Sequence, residues 1–125
     1  MKALPFWFFG VAVLLAIIGM GVGIYMGISE DHTLAPAHAH NNLVGWVTMA
    51  LYGIYYKLVP AAGRSRLATV HFWLALVGAV TIGLGIALAA QGQTLLVQVS
   101  SLVVIVAMVL FAYIVWTHRA GLSLD

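Results

Sequence analysis

Five histidines carry most of the chemistry open to this chain: His32, His38, His40, His71 and His118. Only one segment is dense in ligand-capable side chains: Asp31-His32-Thr33-Leu34-Ala35-Pro36-Ala37-His38-Ala39-His40-Asn41-Asn42. Pro36 suits the first turn of a helix, where its missing N–H has no intrahelical partner anyway. His38 and His40 are therefore expected on the opening turns of a helix. Histidines there offer three chemistries: hydrogen bonding at a membrane interface, binding of a metal ion such as copper, or axial ligation of haem iron. Residues two apart on an α-helix are rotated by about 200°, so the two rings point to nearly opposite sides. They cannot jointly chelate one ion from a regular helix. One of the two must look out of a single small bundle, which argues for an oligomer with sites shared between protomers. An extended turn at 38–40 would instead put both on one face. Asn41 and Asn42 can hydrogen-bond a ligand's carboxylates or the second ring nitrogen of a ligating histidine; they can equally cap loop carbonyls.

The other histidines read differently. His71 falls about a bilayer thickness from His38 and His40 and is expected as an interfacial hydrogen-bonding residue in a Thr69–His71 capping turn. His118, beside Arg119, complements the dipole at a helix C-terminus. His32 is a solvated loop residue between acidic neighbours. Tyr55, Tyr56 and Lys57 read as an interfacial belt, and Trp46 and Met49 as packing residues.

The elements that position these groups follow from composition. The chain has 125 residues, of which 64% are hydrophobic and 6% charged, against about 25% charged in soluble domains. A water-soluble monomer is excluded. The five basic residues are too few and too scattered for a nucleic-acid surface. With no cysteine there are no disulfides, thiolate zinc sites, iron–sulfur clusters or thioether-linked haems. No G-x-G-x-x-G or P-loop motif appears, and no carboxylate pair lies inside an apolar run.

Uncharged runs cover 3–29, 33–56 and 67–117, the last interrupted only by Gln91-Gly92-Gln93-Thr94. A span needs about 20 apolar residues. The expectation is an all-α, integral membrane four-helix bundle, one transmembrane domain over 1–125, with helices near 5–28, 36–59, 68–90 and 94–118. The runs are continuous rather than alternating, which favours helices over a barrel. The first is longer than a signal-peptide core and is read as a helix. Lys2, Lys57, Arg64, Arg66 and Arg119 all fall on one side of such a topology. That predicts both termini in the cytoplasm and His38 and His40 near the outer face of a bacterial-type inner membrane. Gly19, Gly23 and Gly27 recur every four residues, a spacing that lets backbones approach closely, within the bundle or between subunits. Gly78, Gly83 and Gly85 are expected to do the same more weakly.

The order of these residues resembles subunit I of the haem–copper oxidases, the family of cytochrome oxidases and nitric oxide reductases. The resemblance rests on Asp31-His32-Thr33, His38-Ala39-His40, Gly45, Tyr55-Tyr56-Lys57-Leu58-Val59-Pro60, Gly63-Arg64 and His71-Phe72-Trp73-Leu74. It implies that His38 and His40 are axial ligands to haem iron in two adjacent pores, with Asn41 and Asn42 beside them. The family subunit has twelve helices in three arcs of four. The resemblance thus implies a homotrimer, with non-covalent haem b held by His40 of one protomer and His38 of the next. The function implied is electron transfer or haem redox chemistry with a redox partner. The alternatives are a haem or copper binding or sensing protein, and a component of an oxygen or nitric oxide reductase completed by another subunit. The family's copper-site His-His pair is absent from this sequence, so no reaction is assigned to this chain alone.

Overall fold

The computed structural model describes residues 1–122; Ser123, Leu124 and Asp125, the end of the expected domain, lie outside the described residues. Every regular element described is helical. Helix α1 is Leu4–Ser29, with Pro5 in its first turn and Glu30, in the left-handed region at φ 56°, ending it. Helix α2 runs through residues 35–58 without a break in right-handed dihedrals, but in three hydrogen-bonding patterns. Ala35–His40 is α-helical, Asn41–Thr48 is π-helical and Met49–Leu58 is α-helical again. After one turn at Pro60–Gly63, α3 occupies Arg66–Ala89 and α4 occupies Leu95–Thr117; a 3₁₀ turn, Arg119–Leu122, follows.

The expected boundaries hold to within a residue or two. The start of α3 moves furthest, from 68 to Arg66, because Ser65 caps it: the Ser65 hydroxyl accepts from the Ala68 N–H at 3.1 Å. Gln91, Gly92 and Gln93 form the turn into α4, with Gly92 at φ 87°, where a side chain would be strained. The π segment was not expected.

Helices α1, α3 and α4 are each long and apolar enough to cross a membrane, which makes this an integral membrane protein. The helices alternate in direction. The Met1 amine lies 3.2 Å from Thr69 Oγ1 at the start of α3. A Cβ on Gly121, beyond α4, would meet Val59 at the end of α2. Both ends of the described chain thus sit at one end of the bundle, together with all five basic residues. Glu30, Asp31, His38 and His40 sit at the other.

Packing runs α1 on α2 and α3 on α4, about equally extensive, with a smaller contact of α2 on α3. The glycines make these approaches possible, in an order the sequence did not rank correctly. Gly19 and Gly23 face side chains of α2, whereas Gly27 has no neighbour within 4 Å. Gly85 is the tightest position between backbones: a Cβ there would lie 2.8 Å from both N and Cα of Val97. We therefore expect Gly85→Ala to force α3 and α4 apart, at about 1–3 kcal/mol for overpacking. Gly21→Ala, with open space around it, should cost nothing. Thermal unfolding by circular dichroism in detergent separates the two; equal midpoints would show that the α3–α4 approach is not tight.

Candidate functional site

The regular α-turn Ala35–His40 settles which way the two histidines point. His40 is exposed on the outer side of α2, and its Nδ1–H donates to the Pro36 carbonyl at 2.9 Å. That bond leaves Nε2 as the free lone pair, the arrangement a metal-ligating histidine uses. His38 turns the other way. Its ring lies against Gly23 of α1, where a Cβ would approach Cε1 to 3.1 Å. Its Nε2 accepts from the Asn42 side-chain amide at 3.2 Å, which puts the ring hydrogen on Nδ1. That Nδ1 is buried with no hydrogen-bond partner among the protein groups. The rotation expected from spacing is thus present, and the extended alternative is absent.

His38 and Asn41 line a cavity of about 290 Å³ between α1, α2 and α3, whose other walls include Leu15, Ile18, Val80 and Leu84. This is at or below the small end of the roughly 300–1,000 Å³ of ordinary ligand pockets. A macrocycle is not enclosed within one protomer; the cavity admits a smaller group, or the edge of something seated outside it.

The asparagines anchor α2 to α1. Asn41 donates through Nδ2 to the Leu15 carbonyl at 2.8 Å. The Asn42 amide lies over Gly19, where any side chain would collide with it. The π segment lets these two consecutive residues serve the same neighbour, and Thr48 supports it by donating its hydroxyl to the Leu43 carbonyl at 2.7 Å. Such wide turns are frequent at functional sites. The glycine seats were readable in hindsight. Gly19 and Gly23 are four apart, as are His38 and Asn42, and on antiparallel neighbours the two spacings mesh.

In the loop before α2, the Thr33 hydroxyl and N–H both donate to Asp31 Oδ1, at 2.6 and 2.9 Å. They hold its carboxyl below the ordinary carboxylate range. His32 is exposed, with Nδ1 3.1 Å from the Glu30 carbonyl, as a loop residue should be. His118 Nδ1 bonds the Ile114 carbonyl at 2.9 Å in the last turn of α4. Among the described residues no three His, Cys, Asp or Glu side chains converge, so the copper alternative has no three-ligand set within one protomer.

His71 departs from the sequence reading. It is no interfacial cap: it is fully buried, and its Nδ1 is hydrogen-bonded to the Tyr56 hydroxyl at 2.9 Å. Its ring stacks on Phe111 of α4 at 5.3 Å and takes the edge of Tyr52 at 4.4 Å. Phe8 of α1 is 5.4 Å away. Tyr55 and Tyr56 are likewise buried rather than forming a surface belt. Residues from all four helices close around one imidazole, contacts that hydropathy cannot register.

Over 82 residues the chain is 35% identical to the Cbb3-type cytochrome c oxidase subunit CcoN1 of Stutzerimonas stutzeri. That subunit is a member of the haem–copper oxidase subunit I family, the family the histidine-bearing stretch resembles. The match covers 54% of this chain and 17% of the CcoN1 subunit. No family model matches, and no solved structure does.

Tyr56→Phe would leave both His71 ring nitrogens buried without partners. We expect it to destabilise the protein by about 1–3 kcal/mol, against less than about 0.5 kcal/mol for Tyr25→Phe on the exposed side of α1. Unfolding midpoints of the two variants in detergent provide the comparison; equal values would mean that His71 finds its partner elsewhere.

Proposed function

We propose that this is a membrane haem b protein in which His38 and His40 are axial ligands, each contributing to a haem shared between neighbouring protomers. One observation carries the reading: the two rings face opposite sides of one regular turn, and the outward ring, His40, keeps a ring nitrogen lone pair without a protein partner. His40 offers Nε2 with its tautomer fixed by Pro36. The lone pair of His38 is on Nε2, where Asn42 donates, and its Nδ1–H is buried. Ligation of His38 through Nε2 would require Asn42 to yield that nitrogen and bond elsewhere. These side chains fit an axial role one ring per haem, not two rings on one iron from a single chain.

Small volume supports the shared arrangement, since the cavity beside His38 is too small for a macrocycle. A ring of protomers whose interface joins a His38 side to a His40 side is heterologous and closes by rotation, as most oligomers do. The likeness to CcoN1 favours three copies, by analogy with a twelve-helix subunit built from arcs of four. The basic end faces the cytoplasm on the positive-inside rule. The histidine end then lies toward the outer face, with residues 35–58 as the fourth span. A haem iron held there supplies a one-electron couple. The protein's part is to fix each imidazole's tautomer, to exclude water with apolar helix faces, and to set both ligands on rigid turns. Electron transfer with a redox partner is the function this arrangement serves.

The test is absorption spectroscopy of the detergent-purified protein, oxidised and dithionite-reduced, after expression with ample haem. Sharp reduced bands are expected, and each of His38→Ala and His40→Ala should abolish them. A colourless wild-type protein would sink the haem reading. Co-expressing the two variants tests sharing: with random mixing about a quarter of the interfaces regain both ligands, and the bands should return in that proportion. No recovery in mixed oligomers would place both ligands within one protomer.

A further inference from the structure

The basic end carries a second cavity system, remote from the histidines. Two cavities of about 480 and 600 Å³ adjoin there, sharing Ala3, Pro5 and Lys57 as walls. The first is an apolar slot between α1 and α2, walled by Phe6 and Phe9 on one side and by Ile54 and Leu58 on the other. Gly53 forms its floor: a Cβ there would meet the Pro5 carbonyl at 3.1 Å and Phe8 Cβ at 3.2 Å. The helices touch at that point while the larger side chains flank an open channel. The second cavity is the mouth of the slot, and it is bordered by Lys2, Lys57 and Arg64.

All three cations are exposed. The acidic residues of the chain are Glu30, Asp31 and Asp125. Glu30 and Asp31 lie at the far end of α1, and Asp125 is outside the described residues, so no described carboxylate neutralises the cluster. Three like charges gathered around a polar mouth, above a slot that runs toward the apolar middle of the bundle, call for an anion with a hydrocarbon tail. We propose that this groove binds one anionic phospholipid. Its phosphate sits over Lys2, Lys57 and Arg64, and an acyl chain lies between Phe6, Phe9, Ile54 and Leu58.

The two halves decide the class of ligand. A free phosphate satisfies the cations but leaves the slot unused. A zwitterionic lipid fills the slot but brings its own cation to a site that already has three. Basic pockets at the ends of membrane helices recognise lipid head groups on this principle, each Lys or Arg near the surface being worth roughly five-fold in binding. The proposal does not depend on haem.

Native mass spectrometry of the full chain released from detergent reads it directly, with phosphatidylglycerol, phosphatidylcholine and sn-glycerol 3-phosphate as probes. Phosphatidylglycerol should be retained as a single adduct at least roughly ten-fold more tightly than phosphatidylcholine, and glycerol phosphate should not compete. Lys57→Gln with Arg64→Gln should weaken the adduct roughly 25-fold, from two cations at about five-fold each. Arg119→Gln, at the same end but outside the groove, should leave it unchanged. Circular dichroism confirms that the variants stay folded. Equal retention of the two lipids, or an equal loss on Arg119→Gln, would overturn the site in favour of unspecific attraction. Competition by glycerol phosphate would overturn the lipid in favour of a soluble phosphate.

Discussion

The opening turns of α2 impose the constraint on which the functional end of the molecule depends. Once Pro36 starts an α-helix, His38 and His40 cannot share a face. The Pro36 carbonyl, four residues before His40, then lies within reach of the His40 ring and orients it. His38 is sent inward, onto a helix that must be nearly bare to receive it. Gly23 supplies that bareness, and Gly19 supplies it again for Asn42, four residues along α2. One local choice of backbone thus dictates the small residues of α1, the polar contacts between α1 and α2, and the outward exposure of His40.

The π segment resolves a conflict that this arrangement creates. A regular α-helix would rotate Asn41 and Asn42 apart by about 100°, yet both are used against α1. Winding more residues into a turn narrows that angle, at the cost of poorer backbone bonding that the Thr48 hydroxyl partly offsets through Leu43. A Cβ on Gly45, within the wide turns, would come within 3.0 Å of Leu15 Cδ1, so the glycine lets α1 approach closely there. The distortion sits between a polar head and an apolar stem, where the helix passes from histidine and asparagine side chains to packing against its neighbours.

Much of this was legible from the residues alone, and the boundary of legibility is physical. Apolar runs bounded by charges report helices, because a bilayer leaves the backbone no other way to satisfy its hydrogen bonds. The two-residue spacing of His38 and His40 reports their opposite faces, because helical rotation is fixed. His71 and Tyr56 could not be read in that way. Their pairing spans 15 residues, and the Phe111 ring stacked on His71 comes from the last helix. A tyrosine at a helix end looks the same in sequence whether it meets lipid or the core. The π segment was hidden for a related reason: its signal is a neighbour's glycines, not its own residue types.

The two ends of the bundle are built on opposite packing strategies, and the difference bears on how the chain can act. At the basic end, Phe8, Tyr52, Tyr56, Phe72 and Phe111 fill the core around His71 with large rings, and the imidazole–phenol bond fixes their register. A buried polar pair of this kind is satisfied in only one arrangement of its helices, which makes it a device for specificity more than for stability. At the other end, Gly19 and Gly23 receive Asn42 and His38, and the His40 imidazole faces outward. Large rings hold the helix directions at one end; at the other, glycine seats hold His38 and Asn42 while His40 is left outward.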